Sequence, residues 1–493
     1  MRRGATFPLK ALSFFPYILL SSTNVEEDEG GRRANAMNNE ATMREHARAI
    51  FDAGVAAADP AEAVRAYFRV DGDTLSAGRP EEDVCRVDLA GLSRVVLIGA
   101  GKAAAPMARA VEEILGDRLD EGVIVVKYGH GEALSKTRVI EAGHPVPDKA
   151  GVEGAEAIIS LVDGCGRDDL VICCLSGGGS ALLPAPAGRI TLDDKQALTE
   201  RLLESGAAIG EINAIRKHCS RIKGGQLARR AAPAKVVSLM LSDVVGDRAD
   251  TIASGPLAPD ETTFADCHSI LERYRLGERI PQAVKIHLKE ALFGKSRKIA
   301  ENPKADDPAF ANITHYIVAN NLKSLEAASE KARGLGWRPS ILSASIEGEA
   351  RDVARDLAAV AREAQSSAHP ASAPPCLLAG GEPTVTIRGT GKGGRCQELT
   401  LAGAIAIAGC ENIVLLAAGT DGSDGPTDAA GAIADGKTVA RGYNAGLDAQ
   451  RHLDANDAYP FFRAVGDLVI TGPTLTNVMD VICILAGPPG RSP

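Results

Sequence analysis

Short apolar runs alternate with longer amphipathic segments from residue 93 onward, and glycine-rich turns separate them. RVVLIGAGKAAAPMARAVEEIL predicts a buried strand over 95–98, a tight turn and an alanine-rich helix, and GVIVVKYG predicts the next strand. DDLVICCLSGGGSALL repeats this order, and AKVVSLMLSDVVGD predicts a strand that ends in a polar loop. Such alternation is typical of a mainly parallel sheet with helices on both faces.

A polar segment divides this pattern into two parts. Residues 296–312, SRKIAENPKADDPAFAN, contain proline and have no periodicity, so they predict a junction between two domains over 44–300 and 312–490. Strands and helices then resume with ITHYIVAN, NLKSLEAASEKARGLG, RPSILSAS and EGEARDVARDLAAVAREAQ. PPCLLAGGEPTVTIRG predicts a strand pair, RCQELTLAGAIAIAG an apolar helix and NIVLLAAG a strand. Both parts are therefore predicted to be α/β.

Residues 1–42 differ in kind from the rest of the chain. They have a basic start and an apolar stretch of about ten residues interrupted by Pro16, which is too short to span a bilayer. Helical periodicity begins at MREHARAIFDAG. The segment is predicted to be a disordered extension, or sequence upstream of a true start at Met37 or Met43, with an export or organellar signal as the alternative.

Composition limits the class of protein and its partners. The 493 residues are 45% hydrophobic and 24% charged, which fits a globular protein large enough for two domains. A net charge of −9 argues against nucleic acid or an anionic membrane surface as a partner. Ten scattered cysteines without a C-x-x-C pair predict reduced thiols in a cytoplasmic protein.

The segment GAGKAA at residues 99–104 matches the G-x-G-x-x-A dinucleotide fingerprint between a strand and a helix. An NAD site also needs an acidic residue at the end of the next strand, where this chain has Lys127. Lys127 could suit a 2′-phosphate, so a nicotinamide enzyme stays open as an interpretation. The fingerprint does not explain Lys102, a cation at a helix N-terminus where the macrodipole favours anions.

The segment GAIADGKT at residues 431–438 matches the P-loop expression G-x-x-x-x-G-K-T. A P-loop follows a buried strand, whereas TDGSDGPTDAA precedes this segment. A short strand, an Asp-Gly turn and a helix capped by Thr438 are predicted instead.

A run of glycines follows the predicted strand DDLVICCL. Ser176, Gly177, Gly178, Gly179 and Ser180 place consecutive N–H groups and two hydroxyls at a strand end, which predicts a concave anion site. A flexible turn is the alternative. Three adjacent glycines lose much backbone entropy on folding, which favours close approach of a ligand.

Two acidic loops follow other predicted strands. LSDVVGDRAD contains Asp243 and Asp247, and GTDGSDGPTDAAG contains Asp421, Asp424 and Asp428. Carboxylates at strand ends lie at the sheet edge where open α/β folds bind ligands, and their oxygens suit Mg²⁺ shared with phosphates. Ordinary Asp-Gly turns are the alternative for either loop alone.

Further charged candidates come from two segments. GGEPTVTIRGTGKGGRCQE supplies Glu382 and Arg395, and the arginine offers a planar fork for a carboxylate or a phosphate. NAIRKHCSRIKGG is cationic on a predicted helix end, and a solvated helix face is the alternative interpretation. Its polar residues are Asn213, Arg216, Lys217, His218 and Lys223.

Neither G-x-S-x-G nor H-E-x-x-H occurs, which argues against α/β-hydrolase and zinc metalloprotease chemistry. Anion sites, cations and carboxylates without a nucleophile fit phosphoryl transfer, where positioning and charge neutralisation provide most of the catalysis.

IGAGKAA, GHPVPD, LSGGGSALLPAP, INAIRKHCSRIKGGQLA, LSDVVGD, IASGP, GGEPTV, GGRCQE and AAGTDGSDGPTDAAGA occur in this order. Together they resemble the type 2 glycerate kinases over residues 44–487. The resemblance implies an N-terminal Rossmann-like doubly wound sheet, a C-terminal α/β domain with a MOFRL region over 375–487, and an active site in the interdomain cleft.

The resemblance also implies an ATP- and Mg²⁺-dependent kinase that phosphorylates D-glycerate on its 2-hydroxyl. Lys102 and Arg395 would neutralise phosphate or the substrate carboxylate, and Asp243 or Asp421 would be the metal ligand or the base. The glycine run would hold phosphates, with Glu382, Asn213 and Lys217 as further binding residues.

Two other functions stay open at this point. Members of the family have also been named hydroxypyruvate reductases, so an NAD(P)H-dependent reductase of the same three-carbon skeleton is the alternative enzyme. A non-catalytic sensor of glycerate or nucleotide is the alternative outside enzymes.

Overall fold

The computed structural model describes residues 40–79, 84–294, 299–367 and 372–488. The expectations for residues 1–39 lie outside this part. The strands are β1 (Phe68–Asp71), β2 (Thr74–Ala77), β3 (Cys85–Asp88), β4 (Arg94–Ala100), β5 (Glu121–Lys127), β6 (Thr137–Ala142), β7 (Asp169–Leu175), β8 (Lys235–Leu241), β9 (Ile313–Ala319), β10 (Arg338–Ile346), β11 (Pro375–Gly381), β12 (Ile413–Gly419), β13 (Gly431–Asp435), β14 (Leu468–Val469) and β15 (Asp480–Ala486).

The α-helices lie between and around these strands. They are α1 (Glu40–Ala57), α2 (Pro60–Tyr67), α3 (Ala104–Leu115), α4 (Lys149–Asp163), α5 (Gly179–Leu182), α6 (Leu192–Glu204), α7 (Ile209–His218), α8 (Gln226–Ala231), α9 (Phe264–Arg273), α10 (Gln282–Leu292), α11 (Asn321–Gly334), α12 (Ala350–Ser367), α13 (Arg395–Ala406), α14 (Thr438–Asn444), α15 (Ala449–Asp454) and α16 (Ala458–Val465).

The first sheet is parallel throughout, in the order β6-β5-β4-β7-β8-β9. Its first strand along the chain, β4, lies in the middle, so the order reverses between β4 and β7. This is the doubly wound Rossmann arrangement, whose ligand crevice opens at the carboxyl ends of the two central strands. The predicted α/β class and N-terminal sheet are confirmed.

Helices cover both faces of this sheet because alternate side chains of its strands point to opposite sides. Leu97 of β4 packs in one core with Met107 of α3, whereas Ile98 packs in another with Ile158 of α4. The central strands β4 and β7 are therefore buried on both faces and consist almost entirely of apolar residues.

The second sheet is mixed, in the order β10-β11-β15-β12-β13-β14. β10 and β11 pair in parallel, and the other neighbours are antiparallel. The strand pair predicted for 374–389 is wrong, because only β11 forms there. Pro383 lacks an N–H group for a ladder, and the N–H groups of Arg388 and Gly389 donate to Asn456 Oδ1 instead.

The chain exchanges two elements between the sheets. β9, which follows the predicted junction, pairs with β8 in the first sheet. Helix α1 packs Ile50 and Phe51 against the second sheet, in one core with Leu416 of β12. The division therefore differs from the predicted ranges 44–300 and 312–490.

Helix α1 also begins earlier than the sequence predicts. Its first turn includes residues 40–42, and Glu40 Oε2 lies 2.8 Å from Lys437 Nζ. The predicted extension over 1–42 therefore overlaps a described helix at its last three positions.

Helices α6, α7, α9 and α10 form a layer with its own apolar core, which includes Leu198, Ile215, Ile270 and Val284. Among the described helices, none is long and apolar enough to cross a membrane. The ten cysteines are all free thiols. The cytoplasmic location stays a prediction.

Candidate active site

The turns that follow β4 and β7 lie side by side at the point where the strand order reverses. The N–H of Lys102 donates to the Gly177 carbonyl at 2.8 Å, and that of Ala103 donates to Ser176 Oγ at 3.0 Å. The Ser176 N–H donates in return to the Ala100 carbonyl at 3.0 Å. The N–H groups that a dinucleotide fingerprint would offer to a pyrophosphate are thus already paired.

The glycines of the β4 turn are needed for this close packing. A Cβ at Gly101 would lie 2.1 Å from Ser176 Oγ, and the residue has φ 137°. A Cβ at Gly99 would lie 2.6 Å from the Cys174 carbonyl oxygen. Contact between two turns therefore accounts for the fingerprint glycines without a dinucleotide.

The glycine turn, residues 176–180, presents unpaired donors. In the part of the chain that the structure describes, the N–H groups of Gly177 and Gly178 have no acceptor, and Gly178 is left-handed with φ 86°. Adjacent N–H groups around a left-handed residue form an anion-binding concavity. Ser176 is buried beneath the turn, and Ser180 Oγ lies 2.7 Å from Ser254 Oγ.

Asp243 lies against this turn from the end of β8. A Cβ at Gly177 would lie 2.1 Å from Asp243 Oδ2, so only glycine allows the carboxylate to approach the backbone. Asn477 Nδ2 donates to the same oxygen at 3.2 Å and was not among the candidates from sequence. Asn477 precedes β15, so the contact joins the two sheets.

The pKa of Asp243 is raised from 3.8 to about 6. Burial is the main cause, the negative charges of Glu382 and Asp421 add to it, and Lys102 opposes it. Residues from both halves thus converge around Asp243.

Lys102 and Asp421 connect the sheets directly. Lys102 Nζ lies 3.3 Å from Asp421 Oδ2, and each side chain is about one-fifth exposed. Asp421 Oδ1 accepts from the N–H and the hydroxyl of Ser423, both at 3.0 Å, which fixes the carboxylate.

Arg395 begins α13 and is held by two carboxylates. Its Nε donates to Asp480 Oδ2 at 2.6 Å and its Nη2 to Asp480 Oδ1 at 2.9 Å, while Nη1 donates to Glu382 Oε1 at 2.7 Å. The buried Asp480 opens the apolar strand DVICILA, where no motif marks it.

Asp424 supports the same helix end. Its carboxylate accepts from the N–H groups of Cys396 at 3.1 Å and Gln397 at 2.8 Å, which are donors without an acceptor inside the helix because they lie in its first turn. Burial and the charge of Asp480 raise the pKa of Asp424 to about 7.

His144 also belongs to this group, although only its motif GHPVPD was noted from the sequence. A Cβ at Gly178 would lie 3.0 Å from His144 Cδ2 and 3.1 Å from Nε2. Burial and the nearby charges of Lys102, Lys127 and His130 lower the pKa of His144 to about 4. Its imidazole is therefore neutral at physiological pH.

Asn213 and Lys217 are engaged elsewhere. Lys217 is buried, with Nζ 3.4 Å from Asp260 Oδ1 and 3.9 Å from Asp250 Oδ2. Asn213 Oδ1 accepts from Arg216 Nη1 at 3.4 Å. Within the described residues, neither side chain contacts the glycine turn by a hydrogen bond or an ion pair.

The P-loop match is a turn between β13 and α14. A Cβ at Gly436 would lie 1.8 Å from the Cys410 carbonyl oxygen, and Lys437 is exposed. Thr438 is the first helical residue rather than the cap, and its Oγ1 accepts from the Asp435 N–H at 2.9 Å. Close packing of the turn against Cys410 therefore explains the glycine of this segment without a bound phosphate.

No group of three or more His, Cys, Asp or Glu side chains in the described ranges is arranged to hold a metal ion. A magnesium site would therefore need oxygens from a ligand beside those of Asp243 and Asp421.

Both halves of the chain are similar to known proteins. Residues 46–289 match a domain of unknown function, DUF4147, and residues 375–480 match the MOFRL family. A D-glycerate 2-kinase of Thermotoga maritima is 43% identical over 394 residues, which are 79% of this chain and 90% of the relative. A protein of Agrobacterium vitis with the provisional name of a hydroxypyruvate reductase is 42% identical over 451 residues, 91% of this chain and 96% of the relative.

The fold is similar as well. The crystal structure of a glycerate kinase from Thermotoga maritima has a TM-score of 0.78 and 39% identity, and the match covers 90% of this chain and 99% of that chain. The similarity therefore extends through both sheets.

Proposed function

Because the chain belongs to the glycerate kinase family, we propose that it transfers the γ-phosphoryl group of ATP to the 2-hydroxyl of D-glycerate, giving 2-phosphoglycerate and ADP. The observation that carries the proposal is the convergence of unpaired N–H groups, a lysine and carboxylates between the two sheets. Phosphoryl transfer needs such positioning and charge neutralisation and little covalent chemistry from the protein.

The anion-binding groups divide between the two substrates. The N–H groups of Gly177 and Gly178 and the ammonium of Lys102 would bind a phosphate chain at the carboxyl ends of β4 and β7. Arg395, fixed by Asp480 and Glu382, presents the remaining surface of its guanidinium to a phosphate or to the glycerate carboxylate.

Asp243 is the proposed base. A carboxylate with a pKa of about 6 is ionised at neutral pH and accepts a proton more readily than an ordinary aspartate. It would take the proton of the 2-hydroxyl as that oxygen bonds to the γ-phosphorus and the bond to the β-phosphate oxygen breaks. Asp421 is the alternative base, because its carboxylate comes from the opposite half of the same site.

The carboxylates fit the magnesium ion that such a reaction uses. Asp243 and Asp421 supply hard oxygen donors whose mutual repulsion contributes to the raised pKa of Asp243. Mg²⁺ held by these oxygens and by phosphates would neutralise charge on the transferred group.

The geometry favours a kinase over a nicotinamide-dependent reductase. The N–H groups of Gly101, Lys102 and Ala103 all donate within the protein, to Val125, Gly177 and Ser176. A dinucleotide would lack the donors that its pyrophosphate requires.

The experiment that tests the proposal compares two assays on the same preparation. We expect ADP formation that depends on D-glycerate, and no NADH or NADPH oxidation with hydroxypyruvate in the absence of ATP. Rapid hydroxypyruvate reduction without ADP formation would instead identify a reductase. Binding of glycerate and nucleotide without turnover would identify a sensor.

Lys102→Ala should lower kcat/KM by about 10²-fold, because it removes a charge that stabilises the transferring phosphoryl group. Lys437→Ala is the matched control, since Lys437 pairs with Glu40 outside the site. The control should retain activity within a few fold. Equal losses of kcat/KM in the two variants would mean either that Lys102 does not belong to the site or that the P-loop interpretation is correct.

A further inference from the structure

Two buried lysines and one partly buried arginine of the first half lie close enough together for their positive charges to repel one another, and one of the lysines contacts the glycine turn. Lys195 comes from α6, Arg216 from α7, and Lys223 from the loop before α8. Lys195 is 2% exposed and Lys223 is 1% exposed. We call these three residues the cation cluster.

The cation cluster has no acidic partner. In the described part of the chain, Lys195 Nζ and Arg216 Nε are buried without any hydrogen-bond partner, and none of the three cations forms an ion pair. Lys217, one residue from Arg216, shows the contrast, because Asp260 and Asp250 lie near its ammonium. Among the buried lysines of the described residues, Lys195 and Lys223 therefore differ from Lys217 in having no acid beside them.

Burial without a counter-ion is costly for a charged group. Burial and the charge of Arg216 lower the pKa of Lys195 to about 8. Burial and the charges of both other cations lower the pKa of Lys223 well below its ordinary value. An anion between them would remove the repulsion and pair the unsatisfied N–H groups.

The cluster is joined to the candidate site through Ser180. Lys223 Nζ donates to the Ser180 carbonyl at 2.8 Å, and Ser180 is the last residue of the glycine turn. The unpaired N–H groups of Gly177 and Gly178 belong to the same turn. Donors of both kinds therefore converge on one short segment.

We propose that Lys195, Arg216 and Lys223 form an anion subsite beside the glycine turn that takes a phosphoryl group. Three positive charges match a phosphate, which carries about two negative charges at neutral pH, better than a carboxylate with one. The origin of that group, a nucleotide or the phosphorylated product, rests on the proposed function; the presence of the subsite does not.

Calorimetric titration of the full chain with inorganic phosphate tests the subsite directly. Lys195→Met should weaken the dissociation constant about tenfold or more, because it removes a charge-assisted hydrogen bond. Lys289→Met removes an exposed lysine from the same helical layer and should leave phosphate binding within about twofold. Equal phosphate affinity in wild type and both variants would overturn the proposal.

Thermal unfolding provides a second measurement, and its expected result differs from the result for a lysine with a purely structural role. Without phosphate, Lys195→Met should raise Tm, because an unpaired buried charge is replaced by a straight apolar side chain. With phosphate, wild type should gain Tm and the variant should gain little. A lowered Tm in the variant, together with an unchanged gain from phosphate, would contradict the subsite.

Titrations with ADP, 2-phosphoglycerate and D-glycerate identify the source of the group. A loss of affinity in Lys195→Met for ADP assigns the subsite to the nucleotide, and a loss for 2-phosphoglycerate assigns it to the product. A loss for D-glycerate alone would overturn the phosphoryl assignment in favour of a carboxylate. The proposed function is judged separately, by ADP formation in the wild-type protein.

Discussion

The carboxyl group of Asp243 combines partial burial with the need to carry a negative charge. It is pressed against the backbone of Gly177 in a partly buried position, yet it must be ionised to act as a base or a metal ligand. Its pKa, raised from 3.8 to about 6, measures the cost of holding that charge in the folded protein.

Asp243→Asn should therefore raise stability and remove activity. Above about pH 6 the folded wild type carries the unfavourable charge, so the variant should gain about 3 kcal/mol in free energy of unfolding. The gain should shrink as the pH falls from about 6 to about 4, where the folded carboxyl group is protonated. Urea unfolding at both ends of this pH range, without nucleotide or metal, measures the gain in free energy of unfolding. A variant that is less stable than wild type at every pH would contradict the raised pKa.

Asp480 accepts two hydrogen bonds from Arg395, so we expect it to position that arginine for the proposed reaction. Asp480→Asn removes the two-oxygen acceptor of Arg395 and should lower kcat/KM by about tenfold or more, besides costing about 3 kcal/mol in stability. Steady-state kinetics and urea unfolding give the two values.

Glu398→Gln is the matched control for that variant. It breaks the buried Arg351–Glu398 pair, whose Nη2–Oε1 distance is 2.6 Å, in the same half of the molecule. A similar loss of stability with normal kcat/KM is expected. Equal kinetic losses in both variants would mean that Asp480 acts only through stability.

Single residues were predictable where the sequence marks their type and position together. Lys102, Asp243 and Asp421 each follow a predicted strand, and the structure brings them together. Asp480 and Asn477 were not found, because each lies beside its partner only after distant segments have packed.

Among the elements, the turn after β7 is the one whose residue types are most constrained. Gly177 and Gly178 leave their N–H groups free, while Ser176 and the Gly177 carbonyl bind the β4 turn. The sequence predicts an anion site here from three glycines at a strand end, but it does not predict that Asp243 packs against one of them.

Gly177→Ala should lower kcat/KM by about 10²-fold, because a Cβ 2.1 Å from Asp243 Oδ2 displaces that carboxylate. Gly334→Ala is the control, since a Cβ there meets no atom within 4 Å. Kinetics of both variants at matched folded fraction measure the effect. Normal activity in Gly177→Ala would show that Asp243 does not need its place against the turn.

Elements were predictable where apolar periodicity is long and turn chemistry is clear, as in β4, β7 and α13. The strand pair after residue 375 failed, because an alternating pattern cannot reveal that Pro383 and the side chain of Asn456 remove the ladder. The dinucleotide fingerprint and the P-loop expression both matched turns whose glycines allow close packing. The spacing of a motif does not distinguish such a turn from a ligand-binding loop.

At the scale of the whole molecule, the candidate site is assembled where two sheets meet. Lys102 and Asp243 come from the first sheet, and Asp421, Arg395 and Asn477 come from elements of the second half. Sequence order could not give this arrangement, because β9 and α1 each cross to the half that their position does not indicate.

Phosphorus NMR of the full chain incubated with ATP, Mg²⁺ and D-glycerate tests the proposed phosphoryl transfer, because it follows the transferred group itself. We expect one phosphomonoester signal, that of 2-phosphoglycerate, growing in step with ADP. A spectrum with ADP and inorganic phosphate alone, or an unchanged ATP spectrum from a preparation that reduces hydroxypyruvate, would contradict it.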